Sequence, residues 1–141
     1  PGFYSGTNYA AMNLLGRTLS YTMNLAGANC GCVAALYLVN MKQNVAPGSC
    51  GGDFYCDANS VCGVECAEVD LMEANRLIWK TTLHAANDPA GQPSQLSFPS
   101  YGPGSRCINT DLDFQVKAAV APSGSTVAVE LTQGACTVQV P

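Results

Sequence analysis

The chain has 141 residues, 48% of them hydrophobic and only 11% charged, with a formal net charge of −4. Six Lys and Arg, never two in a row, stand against ten Asp and Glu, which argues against nucleic acid or an anionic membrane as partner. The longest apolar stretch, Val33 to Val39, is far short of the roughly 20 residues of a spanning helix, and charge is too sparse for disorder, so residues 1–141 read as a single domain.

Taken in chain order, Thr18 to Leu25 alternates Leu19, Tyr21, Met23 and Leu25 against Thr18, Ser20, Thr22 and Asn24, the pattern of a half-buried strand. Val33 to Met41 is apolar almost throughout, between Gly31 and Pro47, and predicts a central strand covered on both faces. Asn44 to Gly63, rich in Gly, Ser, Asn and Cys, reads as a cross-linked loop. Leu77 to His84, Leu112 to Val120 and Thr126 to Leu131 are further strands by alternation, with a shorter one at Thr137 to Val140. Ala121-Pro-Ser-Gly-Ser125 supplies a hairpin between two of them. Asn87 to Arg106, with Pro89, Pro93, Pro99 and Pro103, carries no secondary-structure signal and is expected to be a long functional loop. No helix longer than two turns is predicted. The fold class is all-β, an antiparallel β-sandwich.

Eight cysteines lie at positions 30, 32, 50, 56, 62, 66, 107 and 136. Neither a paired CxxC spacing nor a nearby histidine suggests zinc, and no metal or cofactor is expected. Disulfides are the better reading, which implies an oxidising compartment, secreted or lumenal. Cys30 and Cys32 are too close to be expected as a pair. Pro1 is preceded by no charged or apolar leader, so any targeting segment is expected to be removed or to lie outside this sequence. No Asn-x-Ser/Thr sequon is present.

Three of the four glutamates fall, with Asp70, inside Glu65-Cys-Ala-Glu-Val-Asp-Leu-Met-Glu73, interleaved with Val69, Leu71 and Met72 and balanced by no Lys or Arg. Like charges this close raise one another's pKa and cost stability. In a regular strand Glu68 and Asp70 share a face and Glu73 points to the other; one β-bulge between Asp70 and Glu73 brings all three to one face. Two glutamates so placed can approach the roughly 5 to 5.5 Å separation of a retaining glycosidase. A solvated acidic face and a calcium site are the alternatives that the residues leave open.

Several stretches resemble glycoside hydrolase family 7, the cellobiohydrolases and endoglucanases. Cys66-Ala-Glu-Val-Asp-Leu-Met-Glu-Ala-Asn75 is similar to the family's catalytic strand. Cys30-Gly-Cys-Val-Ala-Ala-Leu-Tyr-Leu-Val-Asn-Met41 is similar to an upstream strand, Tyr55-Cys-Asp57 to a motif beside the active site, and Tyr101-Gly-Pro-Gly104 to the turn before a later strand. His84 stands where the family carries an active-site histidine, eleven residues after Glu73. The resemblance runs from about Leu14 to Val140, in a strongly shortened form with Met72 where the family usually has Trp. It implies a jelly-roll, concanavalin A-like sandwich that binds β-1,4-glucan. It further implies Glu68 as nucleophile, Asp70 as its hydrogen-bonded partner, Glu73 as acid/base, and His84, Tyr55, Asp57 and Tyr37 as substrate-binding residues. Cys56 and Cys66 match cross-linked positions. The function implied is that of a retaining, open-cleft β-1,4-glucan hydrolase. The alternative is a non-catalytic structural or carbohydrate-binding subunit, with a protein partner covering missing edge strands.

Overall fold

The computed structural model describes residues 11–41 and 55–141. The described residues form ten strands: β1 (Thr18–Met23), β2 (Ala34–Val39), β3 (Glu68–Ala74), β4 (Trp79–His84), β5 (Gln92–Leu96), β6 (Tyr101–Gly102), β7 (Ile108–Asn109), β8 (Phe114–Val120), β9 (Val127–Gln133) and β10 (Cys136–Gln139). They build two four-stranded antiparallel sheets, in the orders β1-β8-β9-β10 and β2-β3-β4-β5. A short parallel pair, β6-β7, stands beside them. Among the described residues no helix is long and apolar enough to cross a membrane.

The two sheets meet in one apolar core. Trp79, Tyr101 and Phe114 pack edge to face, with ring centroids 6.0 to 6.3 Å apart. Around them sit Leu71, Met72 and Leu96 from the second sheet and Val116, Ala118, Val129 and Leu131 from the first. The alternation of β8, buried at Phe114, Val116 and Ala118 and exposed at Gln115, Lys117 and Ala119, follows its apolar period. At the Leu15 end the sheets leave an apolar cleft of about 360 Å³ between Leu19, Leu38, Val69, Leu83 and Val120.

Two sequence expectations are corrected. The Val33–Met41 segment is not a central strand covered on both faces: among the described residues β2 has β3 as its only neighbour, and it alternates between half-buried and exposed side chains, with Tyr37 40% exposed. Its apolar run reflects packing of one face against the core, with Leu36 and Leu38 turned inward. The Asn87–Arg106 segment is not structureless, since it contains β5 and β6. Pro93 masks β5 in the sequence, yet an edge strand tolerates a residue that cannot donate to a ladder, and β5 is an edge with Pro93 opposite Thr82. Strand ends also shift by a residue or two: β4 begins at Trp79 because Asn75 Oδ1 accepts from the amides of Leu77 (2.8 Å) and Ile78 (3.1 Å) and turns the chain there. The Ala121–Ser125 hairpin forms as its residues suggest, closed by Ala121 N–H to the Thr126 carbonyl at 3.0 Å, with Gly124 at φ 72°. Most of the loop read at Asn44 to Gly63 lies outside the described residues.

Disulfides join Cys56 to Cys66, with Cα atoms 5.6 Å apart, and Cys107 to Cys136, with Cα atoms 5.2 Å apart. Cys62 is also disulfide-bonded. Cys30 and Cys32 carry free, exposed thiols. The bonded cysteines fit an oxidising setting.

Candidate active site

The middle of β3 departs from a regular strand. Against β4, Asp70 pairs with Thr82 and Glu73 with Lys80, so three steps along β3 match two along β4. Against β2, Met72 pairs with Leu36 and Asp70 with Tyr37, which leaves Leu71 as the extra residue. This is a β-bulge, and it restores the parity that plain alternation breaks. Leu71 and Met72 are both buried in the core, and burying two consecutive apolar side chains is what drives the bulge. Glu73 then returns to the face of Asp70. Lys80, Thr82 and His84, alternate residues of β4, line that same face opposite Glu73, Asp70 and Glu68.

The carboxylates are held by specific partners. Glu68 is 7% exposed, and its Oε2 accepts a hydrogen bond from the Ala58 amide at 3.0 Å. The Cys56–Cys66 disulfide closes the loop that carries this amide, and the Cys66 N–H bonds the Asp57 carbonyl at 3.1 Å inside it. Asp70, 6% exposed, places Oδ2 3.1 Å from His84 Nε2. His84 Nδ1 lies 2.7 Å from the Asp88 carbonyl oxygen. A carbonyl can only accept, so Nδ1 carries a proton, and the proton between Nε2 and Oδ2 is shared by the pair. Glu73 Oε2 accepts from the Thr82 hydroxyl at 3.4 Å and faces Lys80 Nζ at 3.3 Å.

This crowding shifts titration. Burial, then the hydrogen bond to Glu68 and the charges of Glu68 and Glu73, push the Asp70 carboxyl up to about 6, against the opposing pull of His84. For His84, burial disfavours the imidazolium, but the Asp88 carbonyl together with Asp70 and Glu68 outweighs it and holds the pKa above its ordinary value. Asp70 and His84 thus share a proton, with Glu68 beside them on the same face.

Tyr37, opposite Asp70 on β2, bonds the Tyr55 hydroxyl at 3.1 Å. Burial and the neighbouring Tyr37 and Asp57 raise the Tyr55 pKa. Asp57 is buried, and its Oδ1 accepts from the Val61 amide at 3.0 Å, a turn contact next to Cys56. Trp79 lies wholly inside the core and offers no surface to a ligand. Among the described residues no group of three or more His, Cys, Asp or Glu is arranged to hold a metal ion.

Three site contributors were not singled out from the sequence. Lys80 and Thr82 share the alternation of His84, which was the signal available for them. Gly91 carried none: at φ 58° it passes so close to β4 that an added Cβ would lie 2.6 Å from both His84 Nδ1 and Thr82 Cγ2. Its missing side chain is what lets the imidazole sit against Asp70.

The fold is that of the family 7 cellulases. Among solved structures, an endoglucanase I complexed with cellobiose matches with a TM-score of 0.69 at 18% identity, over 89% of this chain and 44% of that one. The native endocellulase of Humicola insolens matches with a TM-score of 0.67 at 18% identity, over 89% of this chain and 43% of that one. A family 7 cellobiohydrolase from Daphnia pulex matches with a TM-score of 0.60 at 19% identity, over 90% of this chain and 44% of that one. The chain therefore spans less than half the length of the proteins whose fold it shares. No family profile matches the sequence, and no curated protein matches it.

Proposed function

We propose that the chain hydrolyses a β-1,4-glucan with retention of configuration, in an open cleft over the carboxylate face. The observation that carries this reading is the Leu71 bulge, which gives Glu68, Asp70 and Glu73 a common face. In this reading Glu68 attacks the anomeric carbon while Glu73 protonates the leaving oxygen, and Glu73 then deprotonates the water that releases the sugar. Asp70, as the hydrogen-bonded partner of Glu68, keeps the attacking oxygen oriented. His84 holds Asp70 in place through the Nε2 contact. Tyr37, the exposed ring of this face, stacks on or hydrogen-bonds the sugar with Tyr55 behind it. The disulfides support maturation in a secreted or lumenal compartment.

The burial of Glu68 and Asp70, together with a tryptophan confined to the core, favours a second reading: a non-catalytic subunit that keeps the fold and binds carbohydrate or a protein partner along its edge strands. One experiment separates the two. Purified protein is assayed on a soluble β-1,4-glucan beside Glu68→Gln and Glu73→Gln. The hydrolytic reading expects turnover that Glu68→Gln abolishes. It also expects Glu73→Gln to suppress turnover of the glucan yet spare the first step on an aryl glycoside whose leaving group needs no proton. Wild-type turnover no greater than that of Glu68→Gln decides for the second reading.

A further inference from the structure

One rung of the second sheet runs from Ala35 on β2 through Glu73 on β3 and Lys80 on β4 to Gln95 on β5, each opposite the next in the strand register. The rungs beside it carry Asp70 with Thr82 and Glu68 with His84. Lys80 is the only Lys or Arg on the four described strands of this sheet. Its Nζ stands 3.3 Å from Glu73 Oε2, and Glu73 is its only ion-pair partner among the described residues. The Lys80 side chain is 39% exposed, whereas Glu68 and Asp70 are buried. Gln95 is exposed on the same rung, and β5 carries no charged residue. A ligand lying over Glu73 toward β5 therefore meets one accessible cation and, next to it, a neutral amide.

We infer that Lys80 selects an acidic glycan, a β-1,4-glucan whose leaving-group sugar carries a carboxylate. The placement on that sugar rests on the hydrolytic reading above, in which Glu73 touches the leaving oxygen, so that the groups beside Glu73 face the sugar that departs. To act as general acid Glu73 must carry a proton and be neutral. In that state the Coulomb attraction that holds the ammonium to it is gone. Lys80 is then left without a counter-charge among the described residues. A carboxylate on the sugar supplies one, and a neutral glucan does not. The ammonium has three N–H donors, so it takes a sugar carboxylate without leaving the Glu73 side, and the Gln95 amide adds a donor on the same rung. Once the proton has passed to the leaving oxygen, Glu73 is a carboxylate again and competes for the ammonium, which loosens the departing acidic sugar. The Lys80–Glu73 contact itself shows a carboxylate oxygen seated on this ammonium.

The test compares cellotetraose with a tetramer that carries C6 carboxylates on its two reducing-end units. Binding is measured by calorimetry on Glu68→Gln, alone and combined with Lys80→Gln or Lys80→Arg, and turnover on the chain with Glu68 intact. The acidic tetramer is expected to bind about fivefold tighter than the neutral one, the scale of a partly exposed ion pair. Lys80→Gln should bring that ratio to one, Lys80→Arg should keep it, and added salt should shrink it. In turnover, the acidic-to-neutral ratio of kcat/KM should exceed one in the wild type and fall to one in Lys80→Gln, with cleavage just before the acidic units. Unfolding followed through Trp79 fluorescence verifies that each variant folds. Equal binding of the two tetramers, or a preference that survives in Lys80→Gln, overturns the role of Lys80 whatever the turnover. A Lys80-dependent preference in binding with no turnover of either tetramer by the wild type overturns the hydrolytic reading instead, and keeps Lys80 as the group that recognises an acidic glycan.

Discussion

At Asp70 the chain holds a carboxyl whose proton affinity is higher folded than unfolded, because it is buried beside Glu68 and Glu73. A carboxyl raised to about 6 contributes stability that is complete below its unfolded value and is lost as pH rises through about 6. His84, also raised, acts in the same direction: its contribution is complete below its unfolded pKa and fades as pH rises past the folded one. Asp70→Asn removes the first contribution and weakens the second. The difference in melting temperature between Asp70→Asn and wild type should therefore move in favour of the variant as pH is raised from 4 to 7.5. Paired thermal scans check this, and a difference independent of pH would contradict it. Gly91 is the second residue on which the Asp70–His84 pair depends. Gly91→Ala forces a Cβ against His84 and Thr82 at a positive φ, so it should cost about 2 to 4 kcal/mol in denaturant unfolding, from left-handed strain plus overpacking. The same variant should change the His84 titration followed by NMR, because the ring must leave Asp70 to make room.

Among the elements, β3 and the loop before it act as a unit. The strand supplies the carboxylates, and the Cys56–Cys66 loop supplies the Ala58 amide that holds Glu68. Replacing both cysteines by alanine opens a loop with a sequence separation of 10. That should lower stability by about 3 kcal/mol. Beyond this cost, the variant should expose Glu68 and speed hydrogen exchange at the Ala58 amide more than at amides of β8 or β9. Protection unchanged at Ala58 would mean that the loop is held by something other than the disulfide.

For the whole molecule, the two sheets are tied by the aromatic triad, and the Cys107–Cys136 bond ties the segment before β7, and with it the β6-β7 pair, to β10 of the first sheet across 29 residues. Removing this bond should cost about 3 to 4 kcal/mol by the loop-entropy estimate. It lies away from the carboxylate face, so the Asp70 and His84 titrations should stay as in the wild type. Trp79→Ala should cost about 3 to 5 kcal/mol, since the ring is fully buried against Tyr101 and Phe114, and unfolding curves in urea measure both.

Local pattern was enough to read the β-rich class, the alternation that puts Lys80, Thr82 and His84 on one face and Trp79 in the core, and the bulge between Asp70 and Glu73. Each depends on near neighbours along the chain: the period of a strand, the clash of crowded charges, and the burial demanded by consecutive apolar residues at Leu71 and Met72. Other features depend on which strands become neighbours, and that is decided only when the sheets assemble. The edge position of β2, the Pro93 strand beside Thr82, and the Ala58 amide on Glu68 could not be read from sequence spacing. Neither could the backbone of Gly91 against His84. All four are set by long-range packing, where a residue's role comes from partners distant in the chain and not from its own side chain.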